Sequence, residues 1–153
     1  MPPCDTNDFD NIGLTALESN LKTDLKCLLY SSKNWVPPRT NVTDIVIIGG
    51  GMCGMLAWLA LTTGGMQNIR VLDRALPGSE GPWLSYARME TLRSPKNLTG
   101  PAFGHGALTF QAWFRAQHGA EEWESLDKIL RPMWMDYLQW YREILKIPIE
   151  NGV

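Results

Sequence analysis

Several classes of function are weakened by what this chain lacks. Lys and Arg number 14 against 16 Asp and Glu, a net charge of −2, so the basic excess of a nucleic-acid binder is missing. Cysteine is scarce: Cys4, Cys27 and Cys53 form an odd set without a C-x-x-C pair, which indicates neither a disulfide framework nor a zinc site. Histidine is limited to His105 and His118, and no Ser/His/Asp triad or metal-ligand cluster can be assembled. Met1–Asp10 carries acids but no basic n-region, so no signal peptide is expected and the expected location is cytoplasmic. The triplets Asn41-Val42-Thr43 and Asn97-Leu98-Thr99 are then chance matches to a glycosylation signal. No charged residue occurs from Ile45 to Ile69, a length that can span a bilayer. Gly49, Gly50, Gly51, Gly54, Gly64, Gly65, Gln67 and Asn68 interrupt it, so no membrane helix is expected.

What the same stretch does contain is Ile45-Val46-Ile47-Ile48-Gly49-Gly50-Gly51-Met52-Cys53-Gly54. This is Gly-x-Gly-x-x-Gly directly after a β-branched run and directly before an apolar, Ala/Leu-rich segment. The order predicts a buried strand, a tight turn and the start of a helix running from Met52 to about Thr63. The free N–H groups and the dipole at such a helix start favour an anion, here the diphosphate of FAD or NAD(P). Gly49 permits the sharp exit from the strand, Gly51 leaves room for the diphosphate, and Gly54 allows close helix–sheet packing. Gly50 is read as an additional source of backbone freedom. The continuously apolar Ile45–Ile48 predicts a strand buried on both faces. A glycine-rich turn without a ligand is the alternative.

A second strand is predicted over Asn68–Asp73. Asp73 lies 19 residues beyond Gly54, near the spacing of about 20 expected of an acid that binds the adenosine ribose. Its charge disfavours a 2′-phosphate, which makes NADP the least favoured dinucleotide there; Arg74 partly offsets that effect. A doubly wound sheet needs at least a third strand, and only two are evident. The tail from Ile147 to Val153 stops where another strand or hairpin could begin. The expected fold is α/β, an incomplete Rossmann-type domain with a β-α-β core and additional helices. The expected division is residues 1–40 as an N-terminal helix with a Pro-rich linker and 41–153 as the partial nucleotide domain. The chain is expected to be the N-terminal piece of a larger enzyme or one subunit of a split one. Seven Trp residues suggest large apolar surfaces that meet something outside this sequence.

Elsewhere, residues 1–11 are mostly polar. Leu14, Leu17, Leu21, Leu25 and Leu28 predict an amphipathic helix to about Tyr30. Pro37-Pro38 marks a linker, with Trp35 as an anchor in a groove. Arg88, Arg93 and Lys96 could meet the diphosphate or an anionic flavin, or lie on a solvated surface. Thr109 is an N-cap for a helix to about Gln117, terminated by Gly119. A last helix begins near Pro132, with Trp134, Leu138, Tyr141 and Leu145 as its core stripe. His105, His118 and Cys53 are more simply structural than catalytic, and no catalytic residue is assigned.

Taken together, Gly49–Gly54, Asp73-Arg74 and Gly81-Pro82-Trp83 resemble the amino-terminal FAD half of flavin-dependent monooxygenases. The nearest groups are the class B enzymes and the lysine/ornithine N-hydroxylase-like flavoproteins. Tyr86–Lys96 resembles the segment that runs on past the flavin. The sequence departs from the family at Asp73, where Glu is usual, and at Pro82, where a small residue is usual. A second glycine motif, which would bind NADPH, is missing. The resemblance implies FAD as cofactor, NADPH or NADH as reductant, and transfer of one oxygen atom to a small-molecule substrate. It implies that Gly49, Gly51, Met52, Cys53 and Gly54 line the diphosphate, that Asp73 lies at the ribose and that Trp83 lies toward the flavin, with Gly50, Arg74, Gly81 and Arg88 as further cofactor-binding residues. The rest of the enzyme would be a C-terminal region or a second subunit, with no nucleic-acid or membrane partner. An NAD-linked dehydrogenase and a non-catalytic nucleotide-binding subunit are the competing readings.

Overall fold

The structure is a computed structural model and describes residues 9–28 and 33–153; Cys4 and Tyr30 lie outside them. The glycine segment folds as its pattern requires. Strand β1 (Ile45–Ile48) leads through the turn into helix α2 (Met52–Thr63), which crosses back to strand β2 (Ile69–Asp73). α2 ends on the Gly64-Gly65 pair: Gly65 N–H bonds Thr62 O and Met66 N–H bonds Leu61 O, both at 3.0 Å, the paired bonds of a Schellman stop. Trp35 straps this end, its indole N–H donating to Gly64 O at 2.7 Å. It does so from the surface, 65% exposed, rather than from within a groove.

The tail supplies the missing strand. β3 (Ile149–Asn151) pairs parallel with β2, so the sheet order is β1-β2-β3 with every pair parallel. Between β2 and β3 the chain builds α3 (Phe110–Ser125) and α4 (Arg131–Leu145). Thr109 caps α3, its hydroxyl accepting from Ala112 N–H at 3.1 Å. Gly119 breaks the helix at φ 82°, ψ 178°, but helical structure resumes and runs to Ser125. Pro132 lies in the first turn of α4, where its missing N–H costs nothing.

These helices hold most of the tryptophans, contrary to the expectation that they await a partner. Trp113, Trp123, Trp134 and Trp140 are buried. Phe110 is the hub, with ring centroids of Trp113 and Tyr137 at 5.5 Å and Trp134 at 5.7 Å. Tyr137 donates its hydroxyl to Leu108 O at 2.6 Å. Burial, with a smaller contribution from Tyr141, holds its pKa well above the ordinary phenol value, so it stays a neutral donor. Helix α1 (Leu14–Cys27) adds Leu17, Leu21 and Leu25 to the same core.

The sheet is covered on one side. Val71 and Ile149 join the core and Ile47 packs against it. On the other face Val46 is 47% and Ile48 80% exposed. The expectation that β1 is buried on both faces therefore fails. Apolar β-branched residues alternate in and out along β1, which a reading of hydropathy alone cannot detect.

The segment before α1 is fastened to α3. Asn11 N–H bonds Arg115 O at 3.1 Å and Gly13 N–H bonds Ala116 O at 2.8 Å. Arg115 grips Asp10 through two bonds, at 2.7 and 2.9 Å. The hydrogen bond from Arg115 lowers the Asp10 pKa. A carboxylate whose folded pKa lies below its unfolded value of about 3.9 adds stability above that value and loses it as pH falls through the folded pKa. The Tm difference between the wild type and Asp10→Asn should be constant above about pH 5 and shrink toward zero in acid; thermal melts across that range check it.

Candidate functional site

One positive φ and two close approaches build the glycine turn. Gly49 takes φ 102°, open to glycine and strained for other residues, while its N–H extends the ladder to Leu72 O at 2.7 Å. A Cβ on Gly54 would stand 1.8 Å from Gly49 O, so α2 rests directly on the turn's own carbonyl. A Cβ on Gly50 would stand 2.6 Å from Ile149 Cγ2. The middle glycine is thus required for the approach of β3 rather than for backbone freedom.

Asp73 locks the turn. It is 9% exposed, with Oδ2 accepting from Gly50 N–H at 2.6 Å and Oδ1 from Ala75 N–H at 2.7 Å. Hydrogen bonds to a carboxylate are the stronger kind, and the second closes an Asx-type turn at the end of β2. Each oxygen keeps acceptor capacity beyond these bonds. Arg74 beside it is exposed.

Gly51 is the N-cap of α2, no side chain caps the helix, and no acid lies in its first turn. The first turn of an α-helix presents N–H groups without intrahelical partners; here these belong to Gly51 and to Met52, Cys53 and Gly54 after it. Cys53 is exposed and Met52 packs against the core. Gly81 comes against this start: a Cβ on Gly51 would be 3.4 Å from Gly81 Cα, and one on Gly81 would be 3.5 Å from Trp83 Nε1. Trp83 stands edge-on to Trp134 at 6.2 Å, and its Nε1 is buried with no hydrogen-bond partner. Main-chain N–H groups at an uncapped helix start and one unpaired indole N–H form a donor set that suits a diphosphate.

Ten of the eleven predicted residues thus lie on the turn, the end of β2 or the Gly81–Trp83 loop. Arg88 is exposed, and among the described residues no hydrogen bond or ion pair joins it to the turn. Lys96 is committed elsewhere: it donates to Trp123 O at 2.6 Å and Glu124 O at 3.2 Å and lies over the Trp123 ring, closing the end of α3. His118 is exposed and stacks on Phe114 at 4.5 Å. Among the described residues there is no His/Cys/Asp/Glu group able to hold a metal and no helix long and apolar enough to cross a membrane.

Sequence reasoning missed Glu80, which is 4% exposed. It pairs with Arg142 and accepts from Asn151 Nδ2 at 2.7 Å and Gly78 N–H at 2.9 Å. Arg142 also reaches Ile149 O at 3.2 Å and Asn151 Oδ1 at 3.1 Å. This knot ties the loop after β2, helix α4 and β3 together. It borders a cavity of about 410 Å³ beside Gly50, also lined by Met55, Pro77, Gln139 and Glu143. No local pattern reveals it, because Glu80 and Arg142 are 62 positions apart.

A family model described as FAD-NAD(P)-binding matches residues 46–152, from β1 to the end of β3. The chain belongs to this family. It is 47% identical over 145 residues to the FAD-dependent urate hydroxylase of Xanthomonas campestris pv. campestris, a match covering 92% of this chain and 31% of that protein. It is 30% identical over 114 residues to the L-amino-acid oxidase of Neurospora crassa, covering 68% of this chain and 16% of that protein. The chain thus spans about a third and about a sixth of these relatives. No solved structure gives a significant match.

Two variants test the turn without any ligand. Gly54→Ala should cost more than about 3 kcal/mol, because the new methyl meets a backbone carbonyl that cannot step aside. Asp73→Asn should cost about 1–3 kcal/mol, since its NH₂ would face a backbone N–H. Chemical denaturation of the purified chain measures both, with Arg74→Ala as a control expected within about 0.5 kcal/mol of wild type.

Proposed function

We propose that this chain forms the FAD-binding portion of a flavin-dependent oxidoreductase of monooxygenase type. NADPH or NADH would serve as reductant and a small molecule as substrate. The observation that carries this is the uncapped, acid-free start of α2 beside the buried, unpaired indole N–H of Trp83. In this reading Gly49, Gly50, Gly51, Met52, Cys53 and Gly54 wrap the diphosphate. The remaining acceptor capacity of Asp73 takes ribose hydroxyls, directly or through water, with Arg74 at the rim. Gly81, Trp83 and Arg88 face the flavin side, as in the class B and N-hydroxylase-like enzymes. Residues 41–153 are the nucleotide domain and residues 1–40 its N-terminal helix and linker.

Bound FAD would supply the redox chemistry, and the protein's part is to bind, orient and shield it. The main-chain donors fix the diphosphate without a counter-charge. The Trp83 edge excludes water from one side of it, and Asp73 keeps the turn in register. Reductant and substrate sites belong to a C-terminal region or a second subunit. The name of the Xanthomonas relative supports hydroxylation. That of the Neurospora relative favours a second reading, an oxidase that uses oxygen without NAD(P)H.

Titrating the purified chain with FAD should quench flavin fluorescence to saturation, and acid extraction of the loaded protein should return FAD. Trp83→Phe should weaken binding about tenfold, the equivalent of one hydrogen bond at about 1.4 kcal/mol. Saturable binding of NAD with none of FAD would replace this reading by the dehydrogenase one.

A further inference from the structure

The aromatic core contains a connected series of oxidisable rings that starts at the glycine turn. Trp83, whose loop lies against the Gly51 cap of α2, stands edge-on to Trp134 at 6.2 Å. Trp134 is 4.9 Å from Tyr137, and Tyr137 is 6.0 Å from Trp140. Trp140 ends the series, its indole N–H donating to Glu18 Oε1 at 3.2 Å. The Glu18 side chain is 30% exposed, so a proton received there can pass to water. A core in need of bulk alone would use Phe. The indole N–H groups of Trp113 and Trp134 are buried without partners, a cost that phenyl rings avoid. What indole adds is easy loss of one electron, ahead of a phenol that keeps its proton and far ahead of phenyl.

The side branches do not hold a positive charge. Phe110 lies 5.7 Å from Trp134 but is hard to oxidise. Trp123 behind it has the Lys96 ammonium 4.9 Å from its ring centroid, which disfavours a second positive charge there. Trp113 is 5.9 Å from Tyr137, but its N–H has no acceptor and cannot discharge a proton. Tyr137 and Tyr141 donate to the carbonyls of Leu108 and Pro101. A main-chain carbonyl does not take the proton, so Tyr137 bridges its neighbours and does not trap the charge. Trp140, with a carboxylate at its N–H, can.

We infer that Trp83, Trp134, Tyr137 and Trp140 form a one-electron relay that reduces photoexcited FAD from within the protein, with Glu18 as the proton acceptor at its far end. Oxidised flavin excited by blue light takes one electron from the Trp83 indole. Trp134 refills Trp83 through the edge contact, and Trp140 refills Trp134 across Tyr137. The Trp140 indole cation then breaks its N–H bond and gives the proton to the Glu18 carboxylate. The products are one-electron-reduced flavin, a neutral Trp140 radical and protonated Glu18, so electrons, protons and charge balance. The first step rests on FAD binding at this turn; the relay from Trp83 onward does not.

The relay is tested first without FAD. Cys53 is exposed in the first turn of α2. In the full chain carrying Cys4→Ser and Cys27→Ser, a ruthenium polypyridyl photo-oxidant is attached to Cys53 and fired with a soluble oxidative quencher. Transient absorption should show an indole cation that decays to a neutral tryptophan radical. Trp83→Phe, Trp134→Phe and Trp140→Phe should each lose the neutral radical, and Trp113→Phe should keep it. Glu18→Gln is the variant that spares the core: its side-chain oxygen still accepts the Trp140 N–H but takes no proton, so the signal should remain the cation. A neutral radical unchanged in Trp134→Phe, Trp140→Phe or Glu18→Gln, or no tryptophan radical in the labelled parent, would overturn the relay. The unlabelled chain loaded with FAD is then excited with blue light, where one-electron reduction of the flavin should accompany the same radical and be lost in Trp83→Phe. Absence of that reduction in a folded, FAD-loaded chain would overturn the flavin start. A relay in the labelled chain with no FAD uptake would instead reject the cofactor and keep the relay.

Discussion

One hydrogen bond organises the site: the Gly50 N–H held by the Asp73 carboxylate at 2.6 Å. The N–H comes from the turn after β1 and the carboxylate from the end of β2, so the bond fixes the ends of two parallel strands against each other. With the turn held, the Gly49 carbonyl lies under Gly54 and α2 can start only where it does. The direction of the helix start, and with it any pull on an anion, follows from that contact. A Glu here would carry one more methylene and reach past the turn. The shorter Asp suits an acid whose first partners are main-chain N–H groups.

The second half of the molecule is coupled to this turn through β3. Ile149 lies against Gly50, and the carbonyl of Ile149 is bonded by Arg142, which also grips Glu80. A buried ion pair weakly satisfied would be costly. Here Asn151, Gly78 and the ladder supply the additional hydrogen bonds, so the charges remain inside. The aromatic core around Phe110 therefore does more than stabilise α3 and α4. Through α4 it sets the position of Arg142 and hence the packing of β3 against the glycine turn.

The local parts of this arrangement were legible in the sequence. The β1 turn, α2 with its Gly64-Gly65 stop, the Thr109 cap and the Trp134–Leu145 stripe each depend on residues within a few positions of one another, where periodicity and capping chemistry operate. The misreadings share a different cause. Gly50 is explained by Ile149, Glu80 by Arg142, Lys96 by the carbonyls of Trp123 and Glu124, and the tryptophans by one another, all across contacts that no local pattern encodes. β3 is three residues long, too short for alternation to register. The exposure of Ile48 could not be read either, since a buried and a bare Ile are the same letter and only the presence of a covering layer distinguishes them.

That bare face carries an energetic argument. Burying a Val or Ile side chain contributes about 1.5–3 kcal/mol, and a whole domain is stable by only about 5–15 kcal/mol. Leaving Val46 and Ile48 in solvent forgoes a substantial share of that margin while leaving a strand edge open to unwanted pairing. β-Branched residues favour the extended backbone, which accounts for strand formation but not for apolar character on a wet face; Thr would serve the backbone equally well. Apolar Val46 and Ile48 therefore stay exposed beside the Arg70–Glu150 pair at a cost that strand propensity alone does not offset.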